Sequence, residues 1–138
     1  MFKTIMVPVD LRHVAKLDKA LTIAADMAKK DEADVIYVGI TGPEPGALGH
    51  TPKEYGDKLD AFAASQTKAH GIKATTHMIV ANDPSIDIDK KLLEAAKEIS
   101  ADLVVMATHV PNFSDAIWPS HGGHLASHTD ASIFLVRG

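Results

Sequence analysis

The feature that most constrains this chain is a regular alternation of short apolar runs with amphipathic segments. Continuous apolar runs are typical of strands that are buried on both faces of a parallel sheet. The apolar pattern predicts five strands, over residues 4–9, 34–40, 72–80, 102–107 and 133–136. The third run is the exception, because Lys73, Thr75 and His77 alternate with apolar neighbours, so we expect that strand to be half exposed.

Between the strands, apolar residues recur at three- and four-residue intervals, as they do on the buried face of a helix. This spacing predicts helices over residues 14–30, from 52 or 53 to 69, over 85–99 and over 120–129. Strands joined by such helices must run parallel, with right-handed crossovers. The length of 138 residues is near the commonest domain size. We therefore expect one α/β domain over residues 1–138, an open doubly wound parallel sheet with helices on both faces.

Composition excludes several classes of function. The absence of cysteine rules out disulfides, thiolate metal sites and a cysteine nucleophile. Lys and Arg total 14 against 18 Asp and Glu, a net charge of −4, which is not the basic excess that binds nucleic acids or anionic membranes. No apolar run reaches the roughly 18 residues of a membrane span, and the first run is too short for a signal peptide. We therefore expect a cytoplasmic protein.

Polar residues follow three of the predicted strands, at the edge where ligands bind to open α/β sheets. Asp10 follows the first strand, Thr41 the second, and Thr108 and His109 the fourth. Together they indicate a candidate acid–base site. Asp10 is equally suited to capping the first helix or turning the chain, and His109 to an exposed loop position, so both interpretations stay open. Residues 41–52, rich in glycine and proline, predict a long loop of the kind that often covers a binding site.

Three segments resemble motifs of the universal stress protein family: Val7-Pro8-Val9-Asp10, the run from Ala101 to His109, and the run from Ser132 to Arg137. The resemblance covers the whole chain in order and length. It implies a Rossmann-like sheet, similar to the adenine nucleotide alpha hydrolases, with strand order 3-2-1-4-5. It also implies a homodimer in which the last strand, from Ile133 to Val136, pairs with its twin. Many members of the family bind ATP, so the resemblance implies ATP or AMP, with Mg²⁺, in the crevice after strands 1, 2 and 4, and a role in stress response or signalling.

The same resemblance implies which residues would bind the nucleotide. Asp10 would bind the adenine or ribose edge, and Val9 and Ile40 would form the wall of the adenine pocket. Met106 has the apolar surroundings of a core residue, but it stands at a family position that lines this pocket. The full set that the resemblance implies is Pro8, Val9, Asp10, Ile40, Met106, Ala107, His109, Val110, Ser120 and His121.

The chain departs from the family's phosphate-binding motif. That motif has a Gly-x-x-Gly after the fourth strand and, about nine residues later, a Gly before Ser or Thr, so that backbone amides can hold the phosphates. Ala107 and Val110 stand at the first two glycine positions, and Pro119 or Ser120 at the third, depending on the count. The segment from His109 to Asn112 resembles a branch that lacks these glycines and is thought to retain nucleotide binding. Two hypotheses follow: a nucleotide-binding protein, or a dimeric scaffold of the same fold that binds no nucleotide.

Cations are scarce near the expected phosphate loop. From residue 100 to residue 138 the sequence contains a single Lys or Arg, Arg137, and that residue closes the last strand. Phosphate binding would therefore rely on backbone amides, Ser120, a metal ion, protonated histidines, or Arg12 and Lys16 at the start of the first helix.

Three of the eight histidines, His121, His124 and His128, have a spacing that can place them on one helical face. Two histidines four residues apart are a known zinc spacing, which gives a remote alternative, a metal-dependent hydrolase. The other interpretation is a polar helix face or a dimer edge. The sequence shows no paired carboxylates and no obvious nucleophile, so we do not predict an enzyme, and we expect any ATP hydrolysis to be slow.

Overall fold

The computed structural model describes residues 1–42, 51–81, 84–107 and 129–137. Its strands are β1 (Thr4–Pro8), β2 (Asp34–Thr41), β3 (Lys73–Val80), β4 (Leu103–Ala107) and β5 (Ser132–Val136). Each strand begins and ends within one residue of the bounds that the apolar pattern predicts. The alternation of apolar runs therefore identified the strands correctly.

The described helices are α1 (Asp18–Asp31), α2 (Pro52–His70), α3 (Pro84–Glu98) and a short 3-10 helix over Leu11–Leu17. Local signals fix the ends of α2. The Thr51 hydroxyl accepts a hydrogen bond from the Glu54 amide at 3.2 Å, and Gly71 ends the helix in the left-handed conformation, with φ of 67°. The predicted last helix and most of the predicted loop over 41–52 lie outside the described residues. In the described part of the chain, no helix combines the length and the apolar character that a membrane crossing requires.

The segment between β1 and α1 differs from the prediction of a helix over 14–30. Its first residues form the 3-10 helix, and His13 breaks that helix with φ of −133° and ψ of 39°. This kink separates the turn that Asp10 caps from the residues that lead into α1. The predicted start was therefore wrong, and the regular helix begins at Asp18.

The strands form a parallel sheet with the order β3-β2-β1-β4-β5, as the family resemblance implied. The ladders pair Pro8 with Val38 and Met6 with Val104, so β1 lies between β2 and β4. The chain moves outward from β1 to β3 and then crosses to β4 on the other side. The order of the strands therefore reverses between β1 and β4.

Two clusters of buried residues lie on opposite faces of this sheet. Alternate side chains of each strand point to opposite faces, so β1 contributes Ile5 and Val7 to one cluster and Met6 to the other. The first cluster packs against α1 and α2, and the second packs against α3. Helices therefore cover both faces, which confirms the doubly wound architecture. The largest fully buried side chains are Tyr37, Ile5, Met6, Leu59, Ile88, Leu92, Met106, Val7, Val9, Val35 and Val38.

Two aspartates close the end of the sheet at which the strands begin, here called the amino end. The Asp102 carboxylate accepts hydrogen bonds from the amides of Lys3 and Thr4, at 2.9 and 3.0 Å. The Asp31 carboxylate accepts one from the Phe2 amide at 3.0 Å. This amide and the nearby N-terminal ammonium hold the pKa of Asp31 below its usual value. Both carboxylates thus fasten the entry to β1 to the neighbouring elements.

Candidate functional site

The ends of β2, β1 and β4 lie side by side at the opposite end of the sheet, here called the carboxyl end. Parallel strands bring their carboxyl ends to one edge, and the reversal between β1 and β4 opens a crevice there. Asp10 lies two residues after the end of β1. The last residue of β2 is Thr41, which Gly42 follows, and the last residue of β4 is Ala107. The fold thus brings together the three strand ends at which the sequence predicts a binding site.

The most specific feature of the carboxyl end is a carboxylate–guanidinium pair formed by Asp10 and Arg12. Asp10 is only 6% exposed. Its Oδ1 accepts hydrogen bonds from the backbone amide of Arg12 at 3.0 Å and from the Arg12 Nε at 3.1 Å, while its Oδ2 accepts one from Nη2 at 3.3 Å. Both oxygens therefore hold the fork of one guanidinium, the geometry that makes such pairs strong.

This pair settles part of what the sequence left open for Asp10. Asp10 is the N-cap of the 3-10 helix, because it is extended and its side chain accepts from the Arg12 amide. The capping interpretation is therefore confirmed. A role of Asp10 in ligand binding stays a prediction.

His13 lies beside the pair. Its backbone amide donates to the Asp10 carbonyl at 2.9 Å, and its Nε2 is 3.9 Å from the Asp10 Oδ2. The imidazole is 24% exposed. The permanent charge of Arg12 makes the electrostatic field at this corner of the sheet less negative than Asp10 alone would make it.

Tyr55, from the first turns of α2, packs against β2 within electrostatic reach of the pair. It is 4% exposed, and burial raises its pKa to about 12, with a further contribution from the Asp10 charge and an opposing one from Arg12. A Cβ at Gly39 would overlap the Tyr55 hydroxyl and would stand 3.1 Å from two ring carbons. The glycine in the middle of β2 is therefore what allows the phenol to lie against the strand.

The other predicted site residues in the described ranges are mostly buried. Val9 is 1% exposed, and its amide donates to the Val38 carbonyl at 2.9 Å, so the sheet already uses that donor. Pro8 and Met106 are buried as well, and Met106 belongs to the core cluster under α3. Ile40 and Ala107 are partly buried.

Several predicted site residues lie outside the described residues: His109, Val110, Ser120 and His121, and with them His124 and His128 of the histidine cluster. Within the ranges that the structure describes, no group of three or more His, Cys, Asp or Glu side chains is arranged to hold a metal ion. The predicted histidine metal site therefore stays a hypothesis.

Sequence reasoning gave Arg12 only as one of several cations and did not identify Tyr55 or Gly39. Two signals were present. A single glycine inside an apolar strand indicates the close approach of another group, and Gly39 is such a residue. Thr51-Pro52 marks the start of a helix, which places Tyr55 in its first turns. Neither signal shows which residue meets which, because that depends on how α2 packs on the sheet.

The described part of the carboxyl end suits binding better than proton transfer. Asp10, its carboxylate, already accepts hydrogen bonds on both oxygens, so it is poorly placed to abstract a proton. Arg12, by contrast, keeps a permanent charge and is 49% exposed. The site thus presents a held cation beside a buried carboxylate.

Proteins of one family are similar to this chain over nearly its whole length. The model of the universal stress protein family matches residues 1–137. A universal stress protein of known structure from Archaeoglobus fulgidus is 18% identical to this chain, with a TM-score of 0.70 and 98% of each chain covered. The similarity in structure therefore spans both chains from end to end.

Two similar structures are described with a nucleotide. A universal stress protein in complex with cAMP is 19% identical, with a TM-score of 0.68, and the similarity covers 98% of this chain and 97% of that chain. The universal stress protein from Archaeoglobus fulgidus in complex with dAMP is 17% identical, with a TM-score of 0.67 and 96% of each chain covered. At these identities the similarity establishes a shared fold.

Proposed function

The chain belongs to the universal stress protein family, and from this premise we propose that it binds an adenine nucleotide and acts in the cytoplasm as a small stress-response or signalling module. The ligand is AMP or ATP, the latter with Mg²⁺, and the chain forms one domain over residues 1–138. Similar proteins of this fold are described in complex with cAMP and with dAMP, which supports the class of ligand.

The observation that carries the proposal is the convergence of the ends of β1, β2 and β4 at the reversal of strand order. Asp10 lies two residues after the end of β1, and beside it lies the half-exposed guanidinium of Arg12, with which it is ion-paired. A nucleotide needs both a polar edge for its base or ribose and a counter-charge for its phosphate. This end of the sheet has a group of each kind.

In this proposal, the nucleotide spans the crevice from β2 to β4. Asp10 accepts from the adenine or ribose edge with the acceptor capacity that remains to it, and a carboxylate has about four lone-pair positions. Pro8, Val9 and Ile40 form the adenine wall, with Met106 behind it. The ribose and phosphates extend past Ala107 toward His109, Val110, Ser120 and His121.

Equilibrium titration with AMP and ATP, with and without Mg²⁺, tests the proposal. We expect saturable one-to-one binding, and we expect Asp10→Ala and Ser120→Ala to weaken it. Lys29→Gln, at the amino end of the sheet, is the control for a change of surface charge and should bind as the wild type does. Lack of binding at millimolar concentrations of both nucleotides would refute the proposal.

A homodimer is part of the proposal, and the two edges of the sheet suggest which one pairs. At β5, Phe134 is 40% exposed and Leu135 is 44% exposed. At β3, the corresponding positions are more polar, and the Nε2 of His77 lies 3.1 Å from the carboxylate of Glu98 on α3. Exposed apolar edge strands invite pairing, whereas charged ones resist it. We therefore propose that β5 pairs with the β5 of a second copy.

Light scattering after gel filtration tests the dimer. Phe134→Lys places a charge on the proposed interface and should convert the dimer to a monomer. Val80→Lys is the matched control, because Val80 on β3 is exposed to a similar extent, 42%. A wild-type monomer, or equal effects of the two substitutions, would contradict pairing through β5.

The competing function is a dimeric scaffold of the same fold that binds no nucleotide. Ala107, at the end of β4, favours it, because this residue replaces the first glycine of the family's phosphate motif. The two functions differ in one outcome. The scaffold would form the β5 dimer yet fail to bind AMP or ATP in the titration above.

A further inference from the structure

We infer that Arg12 is the phosphate-binding group of this site and that Asp10 is its positioning residue. The inference rests on the proposed nucleotide binding and adds a division of roles. The guanidinium after β1 recognises the phosphate monoester, in place of the glycine loop after β4. The protein should therefore discriminate a nucleotide from its nucleoside chiefly through Arg12.

The geometry of Arg12 is that of a held phosphate receptor. Asp10 engages the guanidinium through Nε and Nη2, two of its several N–H donors, and engages the backbone amide of the same residue. The two side-chain hydrogen bonds to one carboxylate restrict a side chain that would otherwise lose much conformational entropy on binding. The guanidinium is thereby oriented before the ligand arrives, and preorganisation of this kind increases affinity.

The burial of the pair is asymmetric, in the way that a receptor requires. Asp10 is 6% exposed, whereas Arg12 is 49% exposed. The carboxylate is thus the buried anchor, and the cation is the part that a ligand can reach from solvent.

The distribution of cations along the sequence supports the same residue. The segment from residue 100 to the end contains a single Lys or Arg, Arg137, at the end of β5. The glycines that would otherwise let backbone amides hold phosphate are replaced, by Ala107 at the first position. A phosphate dianion in this crevice needs a cationic partner. Among the described residues, Arg12 has a guanidinium that is both oriented by Asp10 and exposed to solvent.

Tyr55 and His13 lie near the pair. Tyr55 lies close enough for the charges of Asp10 and Arg12 to affect its ionisation, and it is buried against Gly39. His13 approaches the other oxygen of Asp10 at 3.9 Å. A lysine at position 12 could not replace the guanidinium without loss, because an ammonium lacks the planar pair of donors that hydrogen-bond to the two oxygens of Asp10.

Isothermal titration with AMP and with adenosine, in Mg²⁺-free buffer, tests the inference. In the wild type, AMP should bind more tightly than adenosine. Arg12→Gln should weaken AMP binding about 10- to 100-fold, the range expected for a lost charge-assisted hydrogen-bonded pair, and change adenosine binding less than about 3-fold. Lys29→Gln removes the same charge at the amino end and should leave both affinities unchanged.

Two further variants protect the test against misfolding, because Arg12→Gln leaves a buried carboxylate without its guanidinium. The double variant Asp10→Asn/Arg12→Gln removes both charges and should show the same loss of preference for AMP. Arg12→Lys keeps the charge and should lose part of the preference. Circular dichroism melts confirm that each variant is folded.

The outcomes separate this inference from the proposed function. If the wild type binds AMP and Arg12→Gln or the folded double variant keeps the wild-type ratio of AMP to adenosine affinity, Arg12 is not the phosphate receptor and nucleotide binding stands. Equal wild-type affinities for AMP and adenosine lead to the same conclusion. If the wild type binds neither ligand nor ATP, the proposed function fails and the inference fails with it.

Discussion

Two aspartates at opposite ends of one sheet use their carboxylates differently. At the amino end, Asp102 accepts hydrogen bonds from the backbone amides of Lys3 and Thr4. At the carboxyl end, Asp10 accepts from one backbone amide and from the side chain of Arg12. The first carboxylate holds main chain to main chain, whereas the second holds a charged side chain at the surface.

The difference follows from the geometry of a parallel sheet. At the amino end, the chain enters β1 beside the start of β4, so backbone amides come within reach of one carboxylate. At the carboxyl end, the strand order reverses between β1 and β4, and the crevice there leaves room for side chains. Substitutions at the amino end should therefore change stability alone, while those that disturb the Asp10–Arg12 pair or Tyr55 at the carboxyl end should also change nucleotide binding.

The largest effect is expected from Gly39→Ala, at the carboxyl end. The new Cβ would overlap the Tyr55 hydroxyl, so α2 or the strand must shift. We expect a loss of roughly 3 kcal/mol in the free energy of unfolding, the upper end of what overpacking costs, and weaker AMP binding because Tyr55 lies near the Asp10–Arg12 pair and must move. Urea denaturation and AMP titration measure the two effects.

The control for Gly39→Ala is Gly42→Ala, which adds the same methyl group directly after β2. A Cβ at Gly42 would lie 3.7 Å from the Ala81 carbonyl oxygen, an ordinary contact, so we expect this variant to unfold with nearly the wild-type free energy. Tyr55→Phe in the Gly39→Ala background removes the hydroxyl and should restore part of the stability. Equal stabilities for the two alanine variants would show that Tyr55 does not constrain Gly39.

The next largest effect is expected from Asp102→Ala, at the amino end. This change removes the acceptor of the Lys3 and Thr4 amides and should cost about 1–2 kcal/mol of unfolding free energy, as lost hydrogen bonds to a charged group do. AMP affinity should not change. Asp34→Ala, an exposed carboxylate at the same end, is the control. A marked loss of AMP affinity in Asp102→Ala would break the contrast between the two ends.

Much of this fold could be predicted from the sequence, because the period of apolar residues reports burial directly. The strands around Val35 and Val104 are continuous apolar runs, and both of these residues are fully buried. The end of α2 was predictable because Gly71 can adopt the left-handed conformation at low cost. The start of α1 was not, because Val14 and Leu17 follow the apolar spacing of a helix yet lie in the 3-10 segment that precedes α1.

The candidate site was only partly predictable. Asp10 was identifiable because it ends an apolar strand, and the carboxyl ends of parallel strands meet at one edge. The hydrogen bonds between Asp10 and the Arg12 guanidinium depend on side-chain geometry. The contact of Tyr55 with Gly39 depends on how α2 packs across β2. Such contacts join residues far apart in sequence, or depend on rotamers, and no period or spacing encodes them.

An effect of another kind, confined to alkaline pH, is expected from the two tyrosines. Burial raises the pKa of both Tyr37 and Tyr55 to about 12, and these are the chain's only tyrosines. In the unfolded chain the pKa of a tyrosine is about 10. The unfolded state therefore loses its protons first, so this contribution to stability is complete below pH 10 and is lost as the pH rises toward 12.

Absorbance at the tyrosinate band, recorded against pH, measures this effect. We expect little tyrosinate in the folded protein at about pH 10 to 11 and a cooperative increase on alkaline unfolding. Tyr55→Phe isolates Tyr37, and Tyr37→Phe isolates Tyr55, so the carboxyl-end phenol can be followed alone. Ionisation of Tyr55 near pH 10 in the folded protein would show that it is not buried beside the Asp10–Arg12 pair.

The smallest effect is expected from Asp31→Asn, which tests the hydrogen bond from the Phe2 amide to the Asp31 carboxylate at the amino end. The Phe2 amide holds the pKa of Asp31 below its unfolded value, so its contribution to stability is present above that unfolded pKa and is lost as the pH falls through the folded one. The melting temperature of the wild type should therefore fall further between pH 7 and pH 3 than that of the variant. Asp26→Asn, an exposed carboxylate on the same helix, should keep the wild-type acid dependence.

AMP affinity at pH 7 should be the same in all three proteins, because the carboxylates at the amino end bind only main-chain groups and the ligand binds at the other end. An Asp31→Asn variant as sensitive to acid as the wild type would show that Asp31 does not fasten the entry to β1.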